Sequence, residues 1–226
     1  DQEHGGGLLG WEYFAKYYGV AIDKLVIPRG EYNAEAILDR TRKLIQKNTK
    51  LISASHVFSS TGLRMPIAEI SALARSKGIL CVVDGAQSVG AIKVNVKELG
   101  CHAYATSGHK WLMGPKGTGI LYLSKDAQSF IRPMQFEESY NTYSNGNGDV
   151  NLPCNMGLAK AIEYHKTVGI EKVEAHRSKT PRSCKRSSIN TRSASAQPTK
   201  SLALTELDSA HIFSTPRKRL IERLMF

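Results

Sequence analysis

Lys110 and Asp84 are the residues of this chain best placed for chemistry, and they stand 26 positions apart in sequence. Lys110 sits in Ser107-Gly108-His109-Lys110-Trp111, and Asp84 in Val83-Asp84-Gly85-Ala86-Gln87. A lysine amine can condense with an aldehyde to form a Schiff base. Asp84 closes the apolar run Ile79-Leu80-Cys81-Val82-Val83, a costly place for a carboxylate that lacks a positive partner. A protonated ring nitrogen would be such a partner, because the carboxylate raises its pKa. Ser107 and His109 offer a hydroxyl and an imidazole beside the amine, both suited to a phosphate. His4, in Glu3-His4-Gly5-Gly6, offers a flat ring to stack on another.

Taken singly, each of these residues has a plainer reading. An Asp at a strand end commonly caps a turn or a helix, and a lone Lys is normally a solvated surface group. His56 reads as a core or loop histidine. Gly114-Pro115-Lys116-Gly117-Thr118-Gly119 lacks the order of a phosphate loop and reads as a tight turn before a strand. The aromatic run Trp11, Tyr13, Phe14, Tyr17 and Tyr18 reads as packing rather than a ligand platform. The ordered set carries the argument, and the single residues do not.

The elements that must position this set follow from periodicity and punctuation. Helices are expected over 8–18, ending at Gly19, over 34–47 with Ile37, Leu38, Thr41, Leu44 and Ile45 on one face, over 66–77, and over 158–168, ending at Gly169. Strands are expected over 21–27, 51–57, 79–84, 103–107 and 119–123. Helix and strand alternate, which argues for an α/β domain with a mostly parallel sheet. Ligands of such sheets gather beyond the carboxyl ends of the strands, where Ser59, Asp84 and Ser107 fall.

Composition narrows the setting. Apolar residues make up 41% of 226, an ordinary share for a chain with a core. No apolar run reaches the roughly 20 residues of a membrane span, and no secretory signal is seen at the start. The chain opens without an initiator Met, which reads as a start inside a longer reading frame. Cys81, Cys101, Cys154 and Cys184 form no CxxC pair, so zinc is not expected and a reducing, cytoplasmic compartment is. The net charge is +11, but residues 177–226 hold eleven Lys/Arg against three Asp/Glu. The first 176 residues therefore carry only +3. Two parts are expected: a domain over 1–176 and a basic, disordered tail over 177–226. Such a tail would bind nucleic-acid backbones weakly, and no nucleic-acid-binding module accompanies it.

Together the motifs resemble the class V aminotransferases, a family of pyridoxal-phosphate enzymes that includes cysteine desulfurases, selenocysteine lyases and isopenicillin N epimerase-like proteins. The resemblance rests on Val83-Asp84-Gly85-Ala86-Gln87, the spacing from Asp84 to Lys110, and Ser107-Gly108-His109-Lys110-Trp111. It is extended by the stretch from Ser55 to Arg64, Ser-His-Val-Phe-Ser-Ser-Thr-Gly-Leu-Arg, and by Gly114-Pro115-Lys116-Gly117-Thr118-Gly119. It implies the three-layer α/β/α large domain of fold type I, an amino-acid substrate and a homodimer with shared sites. It also implies roles. Lys110 would form the Schiff base and carry the Cα proton, and Asp84 would pair with the pyridinium nitrogen. Gln87 would bond the ring 3′-oxygen, His4 would stack, and Ser107 and His109 would hold the phosphate. Ser59 lies where desulfurases carry an asparagine, and Asn147, in Gly146-Asn147-Gly148-Asp149, lies at the position of a phosphate-binding threonine from the partner subunit.

The chain departs from the family pattern elsewhere. By the resemblance, an N-terminal segment with another phosphate loop is expected to be missing here, and the basic tail is expected to stand in place of the small domain with its carboxylate-gripping arginine. A desulfurase needs a nucleophilic cysteine on a mobile loop, whereas Cys154 begins an expected helix. Thr61-Gly62-Leu63-Arg64-Met65-Pro66 is closer to the epimerase-like branch. A truncated, non-catalytic chain is the competing expectation.

Overall fold

The computed structural model describes residues 2–28, 30, 33–131 and 151–179. The chain divides into two units, Asp1–Thr180 and Pro181–Phe226, and all of the described residues lie in the first. Asn147 and the chain beyond residue 179 lie outside them.

Four strands form the sheet in the order β1 (Leu51–Ser55), β2 (Leu80–Asp84), β3 (Ala103–Ser107) and β4 (Gly119–Leu123). β1, β2 and β3 run parallel and β4 is antiparallel to β3, so the architecture is α/β with a mostly parallel sheet, as expected. The register sets Ser55 beside Asp84, and Asp84 beside Ala105. The carboxyl ends of the three parallel strands therefore share one edge.

Six helices frame the sheet among the described residues: α1 (Gly5–Tyr18), α2 (Ala34–Leu44), α3 (Ile67–Ser76), α4 (Val96–Leu99), α5 (Leu152–Val168) and α6 (Ile170–Lys179). α3 buries Ile67, Ile70, Ser71 and Ala74. Their spacing of three and four residues puts them on one face, packed into a core with Cys81, Val83, Cys101 and Tyr104. α2 adds Ile37 to that core. Its Asn33 cap accepts the N–H groups of Glu35 and Ala36 through Oδ1, which satisfies two of the donors that a helix start leaves open.

Several expected bounds differ. No strand forms over 21–27. Its main chain is held by side chains instead: Gln2 Nε2 donates to the Ile27 carbonyl at 2.8 Å and Arg40 to that of Val26 at 3.0 Å. β1 stops at Ser55 because Val57 pairs back with Arg64 in an isolated antiparallel bridge. α2 ends three residues early at Leu44. α5 starts six residues earlier than expected, where Asn151 Oδ1 accepts the Cys154 N–H and Pro153 sits in the first turn. α6 carries helix across the expected boundary at residue 177. Glu174 accepts from Arg64 at 3.1 Å and from the Lys93 N–H at 2.9 Å, which ties this helix to the body.

Candidate active site

The site is built where the parallel strands end. Asp84, the last residue of β2, folds its Oδ1 back onto the Ala86 N–H at 2.8 Å. This is the turn-capping bond expected of an Asp at a strand end, and it leaves Oδ2 uncommitted to that turn. The following Gly85 is squeezed between strands. Its N–H donates to Ala105 O at 2.7 Å, and a Cβ there would collide with the Tyr104 ring. The glycine lets the chain turn over that ring and brings Ala86 and Gln87 back toward the strand ends.

Lys110 arrives from β3 through the Ser107–Lys110 turn. Gly108 N–H donates to Thr118 O at 2.8 Å and Gly114 N–H to Gly108 O at 2.7 Å, which closes the loop on itself. Met113, whose N–H donates to Lys110 O at 3.0 Å, has φ 59°. A left-handed non-glycine residue costs about 1–3 kcal/mol and persists where its surroundings determine it. Here that strain lies three residues from the amine.

His4 comes from the arm that precedes α1. It caps α1, with Nδ1 accepting the Gly6 N–H at 3.1 Å. Glu3 anchors this arm to the sheet: its Oε1 accepts from Ser55 Oγ at 2.6 Å and from the His4 N–H at 2.9 Å. Glu3 and Asp84 both approach Gly7, where a Cβ would stand 3.1 Å from Glu3 Oε1 and 3.5 Å from Asp84 Oδ2.

One cleft results, lined by His4, Ser55, Val57, Ser59, Asp84, Ala86, Gln87 and Lys110. It joins His4, Ser59, Asp84, Gln87 and Lys110 from the sequence analysis. Ser107 and His109 stand on the Lys110 turn but outside the cleft wall, with Ser107 half-buried and His109 exposed. Sequence reasoning overlooked Ser55, Glu3 and Trp111. The strand-end rule that selected Asp84 applies equally to Ser55. The bond from Trp111 Nε1 to Gln87 Oε1, at 2.8 Å, left no such signal.

Beneath the cleft lies a buried neutral pair. His56 is 1% exposed, and its Nδ1 is 2.9 Å from the Tyr104 hydroxyl. Burial, aided by Arg64, pulls the His56 pKa down to about 4. Burial above all pushes Tyr104 up to about 12. Both side chains are therefore uncharged near neutrality, and His56 is the core histidine of the plainer reading. The His56 main-chain N–H donates to the Asp84 carbonyl at 2.8 Å, which joins the two strand ends.

The chain itself matches a known family. The profile described as Aminotransferase class-V matches residues 1–187, and the chain is a member of that family. It is 35% identical over 141 residues to an isopenicillin N epimerase of Amycolatopsis lactamdurans, covering 62% of this chain and 35% of that protein. It is 32% identical over 187 residues to a probable cysteine desulfurase of Pyrococcus abyssi, covering 76% and 45%. A cysteine desulfurase from Thermococcus onnurineus NA1, solved in its apo form, superposes with a TM-score of 0.66 at 29% identity, over 76% of this chain and 46% of that one. The chain thus spans less than half the length of these relatives.

Proposed function

We propose that this chain carries the cofactor-binding part of a pyridoxal-phosphate enzyme that acts at the Cα of an amino acid. The observation that carries the reading is the convergence of Lys110 and Asp84 on one small cleft, with His4, Ser59 and Gln87 completing its wall. The donor set suits the cofactor: an amine for the aldehyde, a carboxylate for the ring nitrogen, an imidazole for the ring face and an amide for the ring oxygen. When bound, the cofactor supplies an electron-accepting ring for the pair released at Cα.

The chain's own residues do the rest. Lys110 would hold the cofactor's aldehyde carbon through Nζ, and the same amine would carry the Cα proton. Asp84 keeps the ring nitrogen protonated, and the Ala86 N–H holds its other oxygen in place. The uncharged His56–Tyr104 pair adds no competing positive charge to this region. Ser107 and His109, beside the amine, and Asn147, from a second subunit, hold the phosphate. The working unit in this reading is a homodimer in the cytoplasm. Cys81, Cys101 and Cys154 are all unpaired, which suits a reducing compartment. Among the described residues no helix is long and apolar enough to cross a membrane.

Within the family we favour the epimerase-like or aminotransferase branch over a desulfurase. Cys154 sits in the first turn of α5, its N–H bonded to Asn151, and it does not line the cleft. The experiment is to add pyridoxal phosphate to the full chain and record the imine absorbance band. The band should form with the native chain and be lost in Lys110→Ala. A band that survives the substitution overturns the assignment.

A further inference from the structure

The Gln87 amide has an acceptor end and a donor end, and which of them faces the cleft decides what it can bind. Trp111 resolves the choice. Its indole N–H lies 2.8 Å from Gln87 Oε1, and an indole nitrogen can only donate. The amide oxygen must therefore face Trp111. The two N–H donors of Nε2 are the part of Gln87 left for the cleft that this residue lines.

Trp111 is 43% exposed, so burial alone does not hold it, yet it is fixed from three directions. The Arg177 guanidinium of α6 covers its ring at 4.0 Å, a cation–π contact. A ring nitrogen of His165, on α5, lies 3.0 Å from its carbonyl oxygen. Its peptide also lies against Gly90, whose φ is +85° and where any Cβ would run into the Trp111 carbonyl.

We propose that Trp111 is a positioning residue that locks the Gln87 amide with its donors toward the cleft, so that the site selects an anionic oxygen on the bound ring. This deepens the pyridoxal-phosphate reading and rests on it. A donor held against an anionic oxygen stabilises the charge left when a neighbouring iminium proton departs, so that proton leaves at lower pH. α5 and α6 supply His165 and Arg177, and so tie Trp111 to the C-terminal helices.

The test has two arms. The chain contains two tryptophans, Trp11 and Trp111, so its 15N spectrum without cofactor should show two indole N–H signals. Gln87→Leu should move the Trp111 signal and leave that of Trp11 in place. In the second arm the imine band is titrated with pH in the native chain, Trp111→Phe, Gln87→Leu and the double variant. Trp111→Phe keeps a flat ring under Arg177 but removes the donor. It should raise the midpoint by roughly one pH unit, the size of a hydrogen bond to a charged group. In the Gln87→Leu background it should add nothing. An indole signal indifferent to Gln87→Leu overturns the proposal, as does a Trp111→Phe shift that persists without Gln87. A native chain with no imine band defeats the cofactor reading instead, and the cofactor-free arm still decides whether Trp111 holds Gln87.

Discussion

The two walls of the cleft are held in opposite ways. The Asp84–Gln87 wall grows out of the core: Cys81 and Val83 are fully buried, only a glycine fits at position 85 against the Tyr104 ring, and main-chain bonds tie His56, Asp84, Gly85 and Ala105 together. The His4 wall grows out of α1, which has no buried residue. Its rings pack mainly on one another, with Tyr13 and Tyr17 centred 4.7 Å apart and Phe14 and Tyr18 5.3 Å apart. Polar bonds fasten that wall: Glu3 to Ser55, and Thr61 Oγ1 to Gln2 at 3.2 Å. One wall is set by the fold as a whole and the other by a few contacts at the rim of the cleft. A substitution in the first should change stability, and one in the second should change binding.

The largest effect should come from Gly85→Ala. The added methyl has no space against the Tyr104 ring, and forced overpacking of this kind costs about 3 kcal/mol or more. Urea unfolding should show the loss, and an unchanged midpoint would place the rigid wall elsewhere.

A pH dependence should follow from the core wall. The folded pKa of His56 is lowered to about 4 from 6.5, so between these values the unfolded chain binds a proton that the native chain refuses. Stability is then complete above pH 6.5, falls as the pH drops toward 4, and levels off below that, a change of about 3 kcal/mol. Asp126, held well below the usual carboxylate range by Arg75, has the same sign at lower pH. His56→Gln should flatten the slope between 6.5 and 4. A slope unchanged in that variant would assign it to other groups, His102 first among them, since burial lowers its pKa too.

The smallest effects on stability should come from the other wall. Glu3→Ala removes the acceptor shared by Ser55 and His4. It should weaken pyridoxal-phosphate binding roughly tenfold while unfolding shifts by about 1 kcal/mol or less. Tyr17→Ala, on the exposed face of α1, should leave both within about 0.5 kcal/mol. Equal losses of stability in Glu3→Ala and Gly85→Ala would erase the distinction between the walls.

The same contrast governs what the sequence disclosed. β3 and β4 fall on their expected residues, and β2 differs only at its first, because dense apolar runs bounded by glycine and polar turns leave little freedom. The run over 21–27 has a comparable pattern and forms no strand. An apolar pattern does not reveal whether a neighbouring strand is present to pair with it. The early start of α5 was signalled by Asn151 and Pro153, a cap and a first-turn proline. At the site, Asp84 and Lys110 were legible because their chemistry is local to each motif, and Gln87 only through the family resemblance. The bonds from Ser55 to Glu3 and from Trp111 to Gln87 join distant parts of the chain, and only the folded arrangement brings them together.

The central claim is that Lys110 is the amine that meets the cofactor. Borohydride reduction of the full chain with pyridoxal phosphate, followed by peptide mass mapping, tests it most directly. The account predicts one stable adduct, on the peptide that contains Lys110. An adduct on other lysines with Lys110 unmodified would contradict it.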